Sequence, residues 1–176
     1  MAFSLYHASV PQYLQILPAV VGTLDKAEAW ATENGLSGEE ILGKQLAPDM
    51  WPLTNQFRQV AGHSARAIEA ISSGIFTPLT TPSPLDFAEL RTILTDALAT
   101  LQNIDADTLD AQADKEVAFE IGGQVRMRFV ASDFILTFSQ PNFFFHTTAA
   151  YSILRHLGVP IGKRDYLGTP KIIQPA

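Results

Sequence analysis

Four histidines and no cysteines leave imidazole as the side chain in this sequence best suited to metal or acid–base chemistry. His146 lies in the stretch PNFFFHTTAAYSILRHLG, residues 141–158. Phe143, His146, Ala150, Ile153 and Leu157 recur there at steps of three and four, so they share one helical stripe. An imidazole in an apolar stripe needs a hydrogen-bond partner, because burial without one is costly. Two readings stay open: a core histidine bonded to a backbone group or hydroxyl, or a metal ligand or pocket base. Asn142 lies one turn earlier on the same face. The pattern is therefore NxxxH and not the HxxxH of a strong metal site, and an amide oxygen binds zinc or nickel weakly. His63, beside the stripe of another expected helix, is the candidate to meet His146; the alternative is a boundary side chain with one wet face. His156 falls in a last helical turn, where a cationic ring suits the helix dipole. His7 falls in an N-terminal turn. Asp49 reads as a helix cap, with ligand binding as its alternative.

Two other patterns fail as chemistry. GVPIGKR, residues 158–164, is one residue short of a phosphate loop, lacks the hydroxyl residue after Lys163, and follows a helix where a strand is required. Lys163, Arg164 and Asp165 read instead as surface partners of each other or of helix ends. Ser139 has no acid–base pair at triad-like positions. The run Phe143-Phe144-Phe145 is too dense for one helix face. One ring must meet a neighbouring helix and another the hairpin or a pocket.

The elements that would position these groups follow from periodicity and punctuation. Ser9 caps a first helix with Pro11 in its first turn, a core stripe of Val10, Leu14, Leu17, Val21, Leu24, Ala27 and Ala31, and an end at Asn34-Gly35. Pro18 should bend it, and FSLYHA before Ser9 adds at most a short turn. A connection over Leu36–Asp49 holds one turn at Gly38–Leu42. The second helix runs from about Pro52 to Ser73 on Leu53, Phe57, Val60, Ser64, Ala67 and Ile71. A Pro-rich loop, Thr77–Pro84, follows. Asp86 or Ser83 then caps a third helix on Phe87, Leu90, Leu94, Ala97 and Leu101. After an acidic stretch with a short helix, Val117–Ile121 and Gln124–Phe129 flank Gly122-Gly123 as a β-hairpin. That hairpin should lie against the helices. Ser132–Phe138 adds a helical turn or two before the fourth helix, Pro141–Gly158, and the tail beyond should be a strap without a helix. The expected fold is all-α: a four-helix bundle with a small hairpin insertion before the last helix, in a single domain over residues 1–176.

Composition bounds the partners. The hydrophobic fraction is 47%, the charged fraction 17% and the net charge -6, with twelve basic residues in no run or stripe. That balance argues against nucleic-acid binding. Nothing reaches the roughly 18 apolar residues of a membrane span, no signal segment stands at the N-terminus, and the absence of cysteine removes disulfides. The expectation is a soluble, cytoplasmic protein that does not bind membranes and pairs as a homodimer, as bundles of this kind often do through helix faces.

Residues 141–168, PNFFFHTTAAYSILRHLGVPIGKRDYLG, resemble the C-terminal signature of an uncharacterised bacterial family in the DinB/YfiT-like four-helix superfamily. The blocks SLYHASVPQYLQILPAVVGTLDKAEAWA, LAPDMWPLTNQFRQVAGHSARA and LDFAELRTIL resemble its earlier segments, so the likeness spans nearly the whole chain. The resemblance implies a DinB-like bundle. Metal-binding members use one histidine of the second helix and an HxxxH pair of the last. Carried over residue by residue, His63 takes the first place, His146 the last, and Asn142 stands where the pattern has histidine. A divalent zinc or nickel ion, or none, and a metal-dependent hydrolase or thiol-transferase activity are what this likeness implies. The leading expectation is a small-molecule or weak-metal pocket between the second and fourth helices, lined by His63, Asn142 and His146. Its rival is a non-catalytic ligand-binding or homodimeric bundle without metal.

Overall fold

The computed structural model of the chain describes residues 4–80 and 86–173. The first helix, α1, is Leu5–Glu33. It starts earlier than its sequence suggests, because Ser4 supplies the cap, accepting the His7 N–H at 3.3 Å. Ser9 is buried inside the helix and returns its hydroxyl to the Leu5 carbonyl at 2.7 Å. The helix runs uninterrupted through Pro11 and Pro18, with Pro18 on the exposed side. Its buried face is wider than the expected stripe: Tyr13, Ile16 and Val20 join Val10, Leu17 and Leu24, while Leu14 and Val21 are only half-buried. Helix α2, Gly38–Leu42, opens on a Ser37/Glu40 capping box.

The expected second helix is one continuous rod in three parts: α3 (Leu53–Ala61), a π-helical segment π1 (Gly62–Arg66), and α4 (Ala67–Ser73). All six residues of its expected core stripe are buried. It ends at Gly74, whose φ of 76° is left-handed and favours glycine. Asp86 caps α5 (Phe87–Gln102) through a reciprocal bond with Glu89. The alternative cap, Ser83, and the second half of the expected Pro-rich loop lie outside the described residues. Helix α6, Ala106–Asp110, occupies the acidic stretch.

The hairpin forms as expected, with β2 (Glu116–Ile121) and β3 (Gln124–Val130) antiparallel. Gly122 and Gly123 both take positive φ, 59° and 75°, as the two-residue turn demands. A short strand the sequence did not signal, β1 (Ile75–Phe76), pairs parallel with β2 and completes a three-stranded sheet of order β1-β2-β3. Only one hairpin arm is core: Val117 and Phe119 are buried, whereas Val125 and Met127 of the outer arm are exposed.

Helix α7 (Ala131–Asp133), a second π segment π2 (Phe134–Ser139) and α8 (Gln140–Leu157) continue the chain without a break. Helix α8 ends at Gly158, with φ of 96°. The tail is not a plain strap. It forms a five-residue helix, α9 (Lys163–Leu167), because Asp165 accepts the Gly162 N–H at 2.7 Å and stops the first turn from fraying. Asp165 also pairs with Lys26 of α1 at 2.6 Å, so the tail's partner is α1 and not its own neighbours. The chain is mostly helical: α1 packs on α5, α3 packs on both α5 and α8, and α9 lies against α1. No helix among the described residues is long and apolar enough to cross a membrane.

Candidate functional site

His63 is presented by π1 and His146 by α8, and the two imidazoles come together with ring centroids 5.7 Å apart and planes within 14°. Both are nearly sealed from bulk solvent, 5% and 7% exposed. His63 lies further inward than its helical position suggests. A π turn holds more residues per turn than an α turn, so the π1 segment rotates the face and buries Gly62, His63, Ser64 and Ala65 together.

Each ring is fixed in one tautomer by its partners. Ser139, at the end of π2, donates its hydroxyl to the His63 carbonyl at 3.1 Å. Its oxygen is then free to accept, and the His63 Nδ1–H donates to it at 3.3 Å. The Gln56 amide donates its nitrogen to the Trp51 carbonyl at 2.9 Å and so turns its oxygen to His146, whose Nδ1–H donates to it at 2.8 Å. Both imidazoles therefore carry the proton on Nδ1 and keep a lone pair on Nε2. Among buried side-chain nitrogen and oxygen atoms of the described residues, only the Tyr13 hydroxyl has no partner. The two unbonded Nε2 atoms are thus not sealed in the protein but reach open space. Burial lowers the His63 pKa to about 3, with the neighbouring His146 adding to it, and burial lowers that of His146 to about 4. Both rings are neutral at pH 7.

That open space is a cavity of about 450 Å³. Its floor is the helical pair: Gln56, Gln59 and His63 from the 53–73 rod, and Phe138, Asn142 and His146 from π2 and α8. The sheet contributes Phe119 and Ile121, and the connections contribute Asp49, Trp51, Pro78 and Thr80. Gln59 ties one wall in place by donating to the Leu79 carbonyl at 2.8 Å. Trp51 lies parallel to His146, centroids 5.9 Å apart, so Trp51, His146 and His63 form a row of near-parallel rings. The aromatic wall continues through Phe138, 5.3 Å from Phe119 and 5.4 Å from Phe129.

The other expected residues take more varied places. Asn142 lines the cavity half-buried, its amide nitrogen donating to the Phe138 carbonyl at 2.8 Å. Asp49 is not a cap: Pro52 precedes α3 and no side chain caps it. Instead Asp49 is an exposed residue at the edge of the cavity lining. The Phe run divides as its density required, with Phe143 buried against Tyr13 of α1 and Phe145 exposed at the cavity mouth. His7 bonds Ser4 on the surface, and His156 is exposed in the last turn of α8, neither lining this cavity.

Sequence reasoning missed Gln56, Gln59 and Trp51. Gln56, Gln59 and His63 stand at steps of three and four inside an otherwise apolar face, which was a readable sign of a polar cluster. Trp51 lies in a connection, where periodicity has nothing to say. As a metal centre the donor set is thin. Among the described residues no three His, Cys, Asp or Glu are grouped to hold an ion. On α8 itself the place one turn before His146 holds only the neutral Asn142 amide, whose oxygen supplies no charge to compensate a dication.

A family model described as "Domain of unknown function (DUF1993)" matches residues 5–167. No curated protein sequence matches the chain. Among solved structures, a DinB family member protein from Shewanella denitrificans is similar with a TM-score of 0.79 at 27% identity, over 97% of this chain and 96% of that one.

Proposed function

Because the chain belongs to the DUF1993 family of domains of unknown function, and is DinB-like, we propose that it is a single-domain four-helix bundle whose cavity binds a small molecule. The bundle helices are α1, the 53–73 rod, α5 and α8, and the domain takes in residues 1–176. The cavity's ligand seats its apolar body on the aromatic walls and meets the two neutral imidazoles with its polar end. One observation carries this reading: two tautomer-locked histidines on different helices open unpaired Nε2 atoms onto one cavity of about 450 Å³. That volume falls in the range of ligand pockets, and mostly apolar walls with a few convergent polar groups are their usual make-up. A fragment screen by ligand-observed NMR tests it. Hits should be displaced or lost in His146→Leu while that variant keeps a cooperative unfolding transition. A screen without hits, or hits indifferent to His146→Leu, would contradict it.

A second reading, a weakly held divalent zinc or nickel ion, is favoured by the tautomer lock, since metal-bound histidines commonly donate their other N–H to a neighbouring oxygen. His63 and His146 would ligate through Nε2, with Asn142 Oδ1 as a poor third. Bound there, an ion would supply a Lewis acid with open positions for water or a thiol. Calorimetric titration with zinc and nickel, of the protein and of His146→Ala, decides: equal and negligible heats in both remove this reading. The cytoplasmic location and the homodimer expected from sequence stand as parts of the proposal. Sedimentation velocity reads the dimer directly.

A further inference from the structure

The chemical class of the ligand is set by the cavity's charges and donors, and assigning it rests on the small-molecule reading. Asp49, an exposed residue, is the one lining residue among those described with a formally charged side chain, and no described residue forms a hydrogen bond or ion pair with its carboxylate. No lysine or arginine lines the cavity, and no residue outside the described set has a charged side chain. The most deeply placed polar atoms, the two Nε2 nitrogens, are acceptors. The amides of Asn142 and Gln59 each spend a hydrogen on a backbone carbonyl, Phe138 and Leu79, leaving their oxygens unbonded. The donors that remain are neutral: the second amide hydrogens of Asn142 and Gln59 and, on exposed residues, the Trp51 indole and the Thr80 hydroxyl.

We propose that the cavity selects a protonated amine carrying an aromatic or apolar body. The ammonium donates to the imidazole and amide acceptors and is countered by Asp49, while its body lies against Phe138, Phe145 and Trp51. An ammonium has three donors and no acceptor, the complement of this lining. Aromatic faces attract a desolvated cation through their quadrupoles. A carboxylate, phosphate or thiolate would meet lone pairs at the imidazoles, a like charge at Asp49 and only neutral donors elsewhere, with no cation to offset its desolvation.

Three probes with one body separate charge from shape: 2-phenylethylamine, 2-phenylethanol and phenylacetate, each titrated with chelator present. Trp51 fluorescence in a Trp30→Phe background reports binding, since those are the only two tryptophans. The amine should bind up to about fivefold tighter than the alcohol and phenylacetate weakest, a single exposed charge–charge contact being of that order. In Asp49→Asn the amine should lose most of its advantage while the alcohol is unaffected. Equal binding of amine and alcohol, or preference for phenylacetate, overturns the amine assignment and leaves the small-molecule reading standing. Binding of none of the three also overturns the amine assignment, and the fragment screen then decides separately whether the cavity takes any ligand.

Discussion

Gln56 shows how much one side chain carries in this cavity. Its nitrogen holds the Trp51 loop and its oxygen holds His146 in the Nδ1–H tautomer. Ser139 does the same for His63. Keeping two imidazoles neutral and buried has a consequence for acid stability. The unfolded chain protonates histidine near 6.5, the folded one near 3 and 4. Between those values the unfolded state binds more protons, so stability rises with pH there and falls as pH drops below about 6.5. The loss should approach roughly 3 kcal/mol per imidazole by pH 4. Urea unfolding between pH 6.5 and 4.5 checks this, and His146→Phe should remove about one proton from the slope. A slope that His146→Phe and a matching His63 variant both leave unchanged would contradict the buried neutral pair. Tyr13 offers a second residue-scale test. Its hydroxyl is fully buried without a partner, and burial pushes its pKa up. Tyr13→Phe should therefore hold or raise stability by up to about 1 kcal/mol, since it removes an unpaired polar group. A clear loss in thermal unfolding would mean that the hydroxyl has a partner after all.

Among the elements, the two π segments decide the site. An α-helical reading of residues 52–73 places every core residue correctly yet leaves His63 at the border, and only the extra residue in the π turn brings it in. No residue propensity distinguishes a π turn from an α turn; side chains of π1 and π2 meet in the fold, His63 bonding Ser139 and packing on Phe138. Strand β1 was invisible for a related reason, since two residues give no alternation to read. Helix α9 depends on a long-range fit. Gly168 has a φ of 62°, and a Cβ there would stand 2.6 Å from the Gln15 carbonyl oxygen of α1. Gln15 in turn donates to the Leu167 carbonyl at 2.8 Å. Gly168→Ala should lift α9 from α1 and cost about 1–3 kcal/mol. Gly22→Ala, inside α1 with nothing within 4 Å of a new Cβ, should instead stabilise by roughly 0.5–1 kcal/mol. Denaturant midpoints for the two variants should move in opposite directions; a shared direction would contradict the packing described.

For the whole molecule, the four long helical segments and the hairpin were legible where local signals mark them: Asp86 with Glu89, Gly74 and Gly158 as stops, and the Gly122-Gly123 turn. The caps expected at Ser9 and Asp49 were not, because their local signals compete with Ser4 and with tertiary placement. The cavity was half legible. Helical spacing placed His146 and Asn142 on one face and named His63 as their partner, but the walls come from a connection and a sheet whose positions only packing fixes. Charge is the molecular property that joins the two levels, since in a chain of net charge -6 the one formally charged residue lining the cavity among those described is also acidic, Asp49. The site depends above all on His63 and His146 being neutral, Nδ1-protonated rings with Nε2 open to that cavity. Long-range ¹H–¹⁵N correlation spectra of the histidine side chains from pH 7 down to about 5 measure this directly. Two rings should show the Nδ1–H tautomer throughout, assigned by their loss in His63→Asn and His146→Asn. Nε2–H tautomers, or an imidazolium at either position by pH 6, would contradict it.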